Sequence, residues 1–414
     1  MWLFYARCGM RSLLMSNTSE LVALAKSSLY PNYRQPELVF SHGRGAELFD
    51  LEGRRYIDLF AGIAVSALGH AHPRLIQAIS EQAGRLLHLS NYYYNEPNLR
   101  LAQRLCALSH MDRAFFCSSG TEAIEALLKL GRRHFWAQGQ QQRVRLIAFE
   151  KAFHGRTLGA LAATGQPSYQ EGFGPLSPTT HVPFGDLRAV EGALGDDVFG
   201  VLVEAVQGEG GVTPAPEGFL QGLRALTERA GVLLLADEVQ TGVGRLGTFL
   251  GFQSFGVEPD AIALAKGLGG GVPIGAMLCK ASLAGALPPG SHGSTFGGSP
   301  LASAAANALL DVMQETNLMQ QVSEQGEHLG QALARLAKKH SKVAEGARGR
   351  GLLQALVFKP GVDVRAIVET LREHGVLLTV AGGVALRFTP PLNIERELLD
   401  EGLAIIDQVL GELA

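Results

Sequence analysis

The sequence predicts an α/β fold with a largely parallel sheet and a smaller second unit. Three observations carry that prediction. From about residue 115 to 280, short apolar runs alternate with segments of helical spacing. The runs lack polar alternation, as strands do when both sheet faces are covered. After about residue 300 the chain turns helix-rich, and a hairpin-like piece stands near the other end. A chain of 414 residues has room for two or three units of about 100–200 residues each.

Taken in order, the first residues, "MWLFYARCGMRSLLMSNTS", are apolar and basic, with no acid before Glu20. A signal or transit segment is one reading. Arg7 and Arg11 interrupt the apolar stretches and no small-residue cleavage site stands out, so residues 1–20 are expected to be an extension without ordered structure, from a start upstream of Met10 or Met15. "GAELFDLEGRRYIDLF" (45–60) reads as a hairpin with its turn near Glu52-Gly53. The runs "RLIAFE" (145–150), "FGVLVEAVQ" (199–207), "VLLLADEV" (232–239) and "AIALAK" (261–266) read as buried strands. Between two of them, Phe219, Leu220, Leu223 and Leu226 follow helical spacing toward a stop at Gly231. Strand, helix, strand in sequence implies parallel pairing. "PLASAAANALLDVMQETN" opens a long small-residue helix, and "GLLQALVF" (351–358) and "GVALRFT" (383–389) are short strands among later helices. The expected division is a segment 21–75 joining a small domain, a large domain over 76–300, and the rest of the small domain over 301–414.

Composition narrows the function. A net charge of −3 gives no case for nucleic acid or an anionic membrane, which want a basic excess. No apolar run reaches the roughly 18 residues of a membrane span. Cys8, Cys106, Cys117 and Cys279 lie far apart without a CxxC pair, which argues against a disulfide framework or zinc site and for a reducing compartment. The 51 glycines are dispersed without a repeat, as tight strand-to-helix turns require.

Ligands of open α/β sheets sit at the carboxyl ends of strands, and three features recur there. "LLLADEVQTG" places Asp237, Glu238 and Gln240 at one strand end, and "AIALAK" places Lys266 at another. "FFCSSGTEAIEALLKL" passes from strand to helix through Ser118-Ser119-Gly120-Thr121. Ser119 and Glu122 have capping-box spacing, and a helix start with the hydroxyls of Ser119 and Thr121 can take a phosphate. Acids at a strand end are ordinarily solvated; a half-buried one needs a cation. Gly242-Val243-Gly244-Arg245-Leu246-Gly247 matches the dinucleotide fingerprint GxGxxG, but "TFLGFQSFG" after it makes a poor helix, so a nicotinamide site is rejected. His70, His72 and His154 have turn-like flanks, and no metal site is expected. One ligand unites the strand-end features: pyridoxal phosphate, with a phosphate for the helix at Thr121, an aldehyde for Lys266 and a ring nitrogen for Asp237. A buried lysine titrates below its free value of about 10.4, which frees it as nucleophile and base.

From about Tyr30 to the C-terminus the chain resembles the class III (ornithine-type) aminotransferases, which are fold-type I pyridoxal phosphate enzymes. The resemblance rests on "YIDLFAGIAVSALGHAHP", "SSGTEA", "KAFHGRT", "GFGP", "VQGEGGV", "ADEVQTGVGRLG", "AKGLGGGVPIGAM", "HGSTFGGSPLA" and "RFTPPL", in that order. It implies a seven-stranded, mostly parallel sheet in the large domain. It implies that Lys266 condenses with the cofactor and shuttles the proton, that Asp237 holds the ring nitrogen, and that Gln240 reaches the phenolic oxygen. Phe153 and Val239 would flank the ring, and Gly120 and Thr121 would bind the phosphate. Thr295 would bind it in the neighbouring subunit's site, making the active unit a homodimer. Arg156 would clamp the substrate's α-carboxylate, Ser294 and Tyr33 would contact substrate, and Glu209 and Arg387 would open and close as a pair.

The chain departs from the family at Ile124 (usually Asn), Ala205 (usually Pro) and Ser299 (usually Asn). Ile63 replaces the tyrosine with which relatives acting on free ornithine hold it, which favours an acylated ornithine. The expected reaction moves the side-chain amine of N-acetylornithine to 2-oxoglutarate in the cytoplasm. Alternative donors are N-succinylornithine, N-succinyldiaminopimelate and 4-aminobutyrate.

Overall fold

The computed structural model describes residues 17–412. Most of the extension expected over 1–20 lies outside those residues, and its last part enters a helix, Thr18–Ser28, capped by Asn17. Seven strands form the central sheet: β1 (Arg113–Cys117), β2 (Arg145–Phe149), β3 (Thr179–Val182), β4 (Val198–Glu204), β5 (Leu233–Asp237), β6 (Ala261–Leu264) and β7 (Gly275–Cys279). Their order is β1-β7-β6-β5-β4-β2-β3. β7 runs antiparallel to both its neighbours and the other pairs are parallel. Every residue of β4 and β5 is buried, which is why these runs show no polar alternation.

Helices cover the sheet. Helix α1 (Gly120–Ala137) follows β1 at once, and a Cβ on its Gly131 would stand 2.6 Å from the Phe199 ring of β4. The helix so closely approaches the sheet there that no larger residue fits. The expected helix before β5 spans Phe219–Ala230, buries Phe219, Leu220, Leu223 and Leu226, and stops on Gly231 in the left-handed conformation. The departures from the family are absorbed locally. Ile124 and Ala205 are fully buried among apolar neighbours, and the Ser299 hydroxyl caps helix Pro300–Glu315 through Ala302 N–H.

One smaller sheet draws on both chain ends and another on the later part of the chain alone. The expected hairpin forms from Glu47–Asp50 and Arg55–Asp58, with Gly53 at positive φ in its turn. Late in the chain, Val376–Leu377 joins that sheet in parallel, pairing Val376 with Ile57. The strands Ala344–Arg350, Leu353–Phe358, Ala385–Phe388 and Thr379–Ala381 make an antiparallel sheet. The GxGxxG stretch leads into a five-residue 3-10 turn, Gly251–Phe255, so it lacks the helix a dinucleotide needs. Among the described residues no helix is long and apolar enough to cross a membrane.

Candidate active site

The carboxyl ends of β4, β5 and β6 and the start of α1 enclose a cavity of about 390 Å³. Lys266 lies just past β6, where the chain leaves extended geometry for a short 3-10 turn. Its φ of 35° lies in the left-handed region, unusual for a lysine, and such backbone strain gathers at functional sites. Burial holds its amine below the ordinary lysine range. Glu209 pulls it back up, Arg387 pushes it further down, and Asp237 and Glu204 oppose that push.

Asp237 closes β5, 4% exposed, and pairs in register with Glu204 on β4 and Ala263 on β6. Its Oδ1 accepts from Val239 N–H at 2.9 Å, and its Oδ2 lies 2.7 Å from Nδ1 of the fully buried His154. A carboxylate can only accept, so Nδ1 carries the proton of that contact. Here His154 finds its place, as the orienting partner of Asp237. Glu204 accepts from Phe153 N–H, and burial, reinforced by Asp237, raises its pKa well above the usual carboxylate range. Glu238, expected at a solvated strand end, is instead fully buried. It takes Gly251 N–H, Phe252 N–H and the Thr241 hydroxyl, because the chain after β5 folds back over it.

Ser119 caps α1, and Glu122 reaches back to Ser118 N–H at 2.9 Å, one residue before the cap where a strict capping box ends. A Cβ on Gly120 would lie 2.8 Å from the Val239 side chain, and one on Gly155 (φ 138°) 2.3 Å from the Thr121 hydroxyl. Both glycines permit the close approach of the helix start to the strand ends. Arg156 is exposed, and its guanidinium lies 3.8 Å from the centroid of Tyr169 and 5.6 Å from that of Phe153. Across the cavity Arg387, 2% exposed on its strand, ion-pairs with Glu209 and donates to the Thr379 hydroxyl at 3.2 Å.

The cavity therefore gathers Ser119, Gly120, Thr121, Phe153, Val239, Gln240, Asp237 and Lys266 with Arg156 and Glu209, and Arg387 stands behind Glu209. Three expected residues lie elsewhere on this chain. Tyr33 is 76% exposed beside the N-terminal helix. Ser294 and Thr295 sit on a loop that Asn91 ties down through the Ser294 and Gly297 carbonyls. Sequence reading missed Tyr169 beneath Arg156 and the pairing of His154 with Asp237; the only signal for either was proximity to "KAFHGRT". The residues present fit pyridoxal phosphate. Gln240 Oε1 and His154 Nε2 are buried polar atoms without a partner among the described residues, and the first turn of α1 offers free N–H groups for an anion.

The chain matches the aminotransferase class-III family over residues 29–410. It is 47% identical to the acetylornithine aminotransferase of Myxococcus xanthus over 390 residues, 93% of this chain and 96% of that protein. It superposes on the ornithine aminotransferase of Toxoplasma gondii, solved with pyridoxal phosphate at partial occupancy in its active site. The TM-score is 0.92 at 31% identity, covering 99% of this chain and 97% of that one. The acetylornithine aminotransferase of Elizabethkingia anophelis gives a TM-score of 0.84 at 30% identity, covering 96% of this chain and all of that one (100%). This chain belongs to the class-III aminotransferases, and the fold-type I architecture expected from its motifs is the one it adopts.

Proposed function

We propose that this chain transfers the side-chain amine of N2-acetylornithine to 2-oxoglutarate, giving N-acetylglutamate 5-semialdehyde and glutamate, a step of arginine biosynthesis. The cofactor is pyridoxal 5′-phosphate, which when bound supplies an amine-capturing aldehyde and a ring that accepts the electron pair left at a deprotonated carbon. The observation that carries the reading is the convergence on one cavity of the Lys266 amine, the His154-backed carboxylate of Asp237, the cation Arg156 and Glu209, with Arg387 paired behind it. Curated relatives at 41–47% identity named for acetylornithine support this donor.

Each residue has a defined task in this reading. Lys266, kept deprotonated more readily by burial, would hold the cofactor and serve as the base that takes the proton from the amine-bearing carbon of the substrate. Asp237, oriented by His154 and Val239 N–H, keeps a proton on the ring nitrogen. Phe153 and Val239, which line the cavity, would flank the ring, and Gln240 would reach its phenolic oxygen. The N–H groups of Gly120 and Thr121, with Ser119 capping the same turn, hold the phosphate. Arg156 clamps the α-carboxylate of the donor. Glu209 keeps Arg387 neutralised while a side-chain amine is at the reacting position, and releases it when the α-carboxylate of glutamate or 2-oxoglutarate arrives there.

The active unit is a homodimer in the cytoplasm, with Thr295 completing the partner's phosphate site and Ser294 and Tyr33 contacting substrate. The exposure of Thr295 and Tyr33 supports this. The same reading assigns 76–300 to the large domain, and 21–75 with 301–414 to the small one. The test is the visible absorption spectrum of the purified protein before and after addition of N-acetylornithine. A yellow band that bleaches is the expected result; a band that persists overturns the donor, and no band overturns the cofactor.

A further inference from the structure

Behind the cavity a second set of side chains joins the phosphate cup to the Arg156 turn. Glu125, one turn into α1, lies outside the cavity lining and points to the neighbouring helix Leu158–Ala163. Its Oε1 accepts from Gly159 N–H at 2.9 Å, Ala160 N–H at 3.1 Å and the Thr157 hydroxyl at 2.6 Å. Thr157 stands at the cap position of that helix, yet its hydroxyl makes no capping bond. The carboxylate of another helix does the capping instead. Gly159 makes room for it, since a Cβ there would come within 2.4 Å of Oε2.

The direction of the chain of bonds follows from counting protons. An oxygen that already takes two backbone N–H groups has no proton to give, so Thr157 donates its single hydroxyl proton to Glu125. The 2.8 Å contact between the hydroxyls of Thr157 and Thr121 must then be donated by Thr121. In return Thr121 Oγ1 accepts from Thr157 N–H at 3.3 Å. The Thr121 proton is therefore committed away from any phosphate, which is left to the backbone N–H groups of the first turn of α1. Ser119 is spent in the same way, its hydroxyl lying 2.9 Å from Glu122 Oε2.

We infer that Thr157 is a positioning residue. The relay Thr121→Thr157→Glu125 locks the turn that carries Arg156 onto the helix that cups the cofactor phosphate, so that cofactor affinity and carboxylate recognition depend on one hydroxyl. This rests on the assignment of pyridoxal phosphate to the cavity. Thr157 is exposed and valine has its shape without its hydroxyl, so Thr157→Val tests the bond and Thr157→Ser restores it. The dissociation constant of pyridoxal phosphate from the apoprotein and the KM for N-acetylornithine are each expected to rise about five- to tenfold in Thr157→Val, the scale of one lost hydrogen bond. Turnover at saturation should stay within about twofold, and the serine variant should return both constants to near wild type. A valine variant that raises only one constant or neither overturns the inference, and so does a serine variant as impaired as the valine one. A wild-type protein that takes up no pyridoxal phosphate overturns the cofactor assignment instead.

Discussion

Asp237, which closes β5, and Glu238, the next residue, are both buried, yet they serve two unlike regions. On the cavity side, Asp237 pairs with the side chain of His154, and around it His154 Nε2 and Gln240 Oε1 have no partner among the described residues while Lys266 holds a strained backbone. On the other side, Glu238 takes three donors, and the turn Gly251–Phe255 is built around it. The difference teaches where ligand binding is to be sought. A buried polar group left incomplete costs stability, so it is retained where a ligand completes it, whereas a saturated one holds the fold.

The largest effect expected from breaking this contrast is on the cavity side. Lys266→Ala should lower turnover by roughly 10⁴-fold or more, because nucleophile and proton carrier go together; circular dichroism should show the fold intact. Turnover near wild type would refute the mechanism. Asp237→Asn keeps the shape but not the charge, and should lower kcat by roughly 10²–10³-fold, the scale of losing one preorganised electrostatic contact. Because His154 would then face a neutral amide, the variant should also release cofactor more readily on dialysis.

Glu238 provides the structural arm. Burial pushes its pKa from 4.5 up to about 7. The folded state thus binds a proton more tightly than the unfolded one. The stability tied to that proton is fully present below pH 4.5 and lost as the pH rises through about 7. That slope amounts to on the order of 3 kcal/mol. Glu238→Gln should remove it, so that the variant's deficit, roughly 1–3 kcal/mol at pH 5 because an amide N–H would face Gly251 N–H or the Thr241 hydroxyl, shrinks as the pH rises through about 7. Urea melts between pH 5 and 8 would show it: parallel pH profiles for the two proteins would assign the slope to other groups. The smallest effect belongs to Tyr169→Leu, which removes the ring beneath Arg156. A cation–π contact at an exposed site is worth about 0.5–1 kcal/mol, so KM for the donor should rise about three- to fivefold with kcat unchanged. An equal fall in kcat would place Tyr169 in the chemistry.

What the sequence by itself determined is what local physics writes into adjacent residues. Unbroken apolar runs marked β2, β4, β5 and β6, Gly231 marked a helix end, and the strand ends presented Lys266, Asp237 and Ser119-Gly120-Thr121. The poor helix after Gly247 likewise ruled out a dinucleotide from a few neighbouring residues. Arg156, Glu209, Arg387, Phe153 and Thr295 were named only through resemblance, since no short-range pattern distinguishes them from core or surface. Tertiary structure alone decided that His154 meets Asp237 across 83 positions and that Thr157 meets Glu125 across 32. It also decided that Glu238 is enclosed. Such contacts depend on the register of parallel strands and on where loops return, and neither leaves a periodic trace in the sequence.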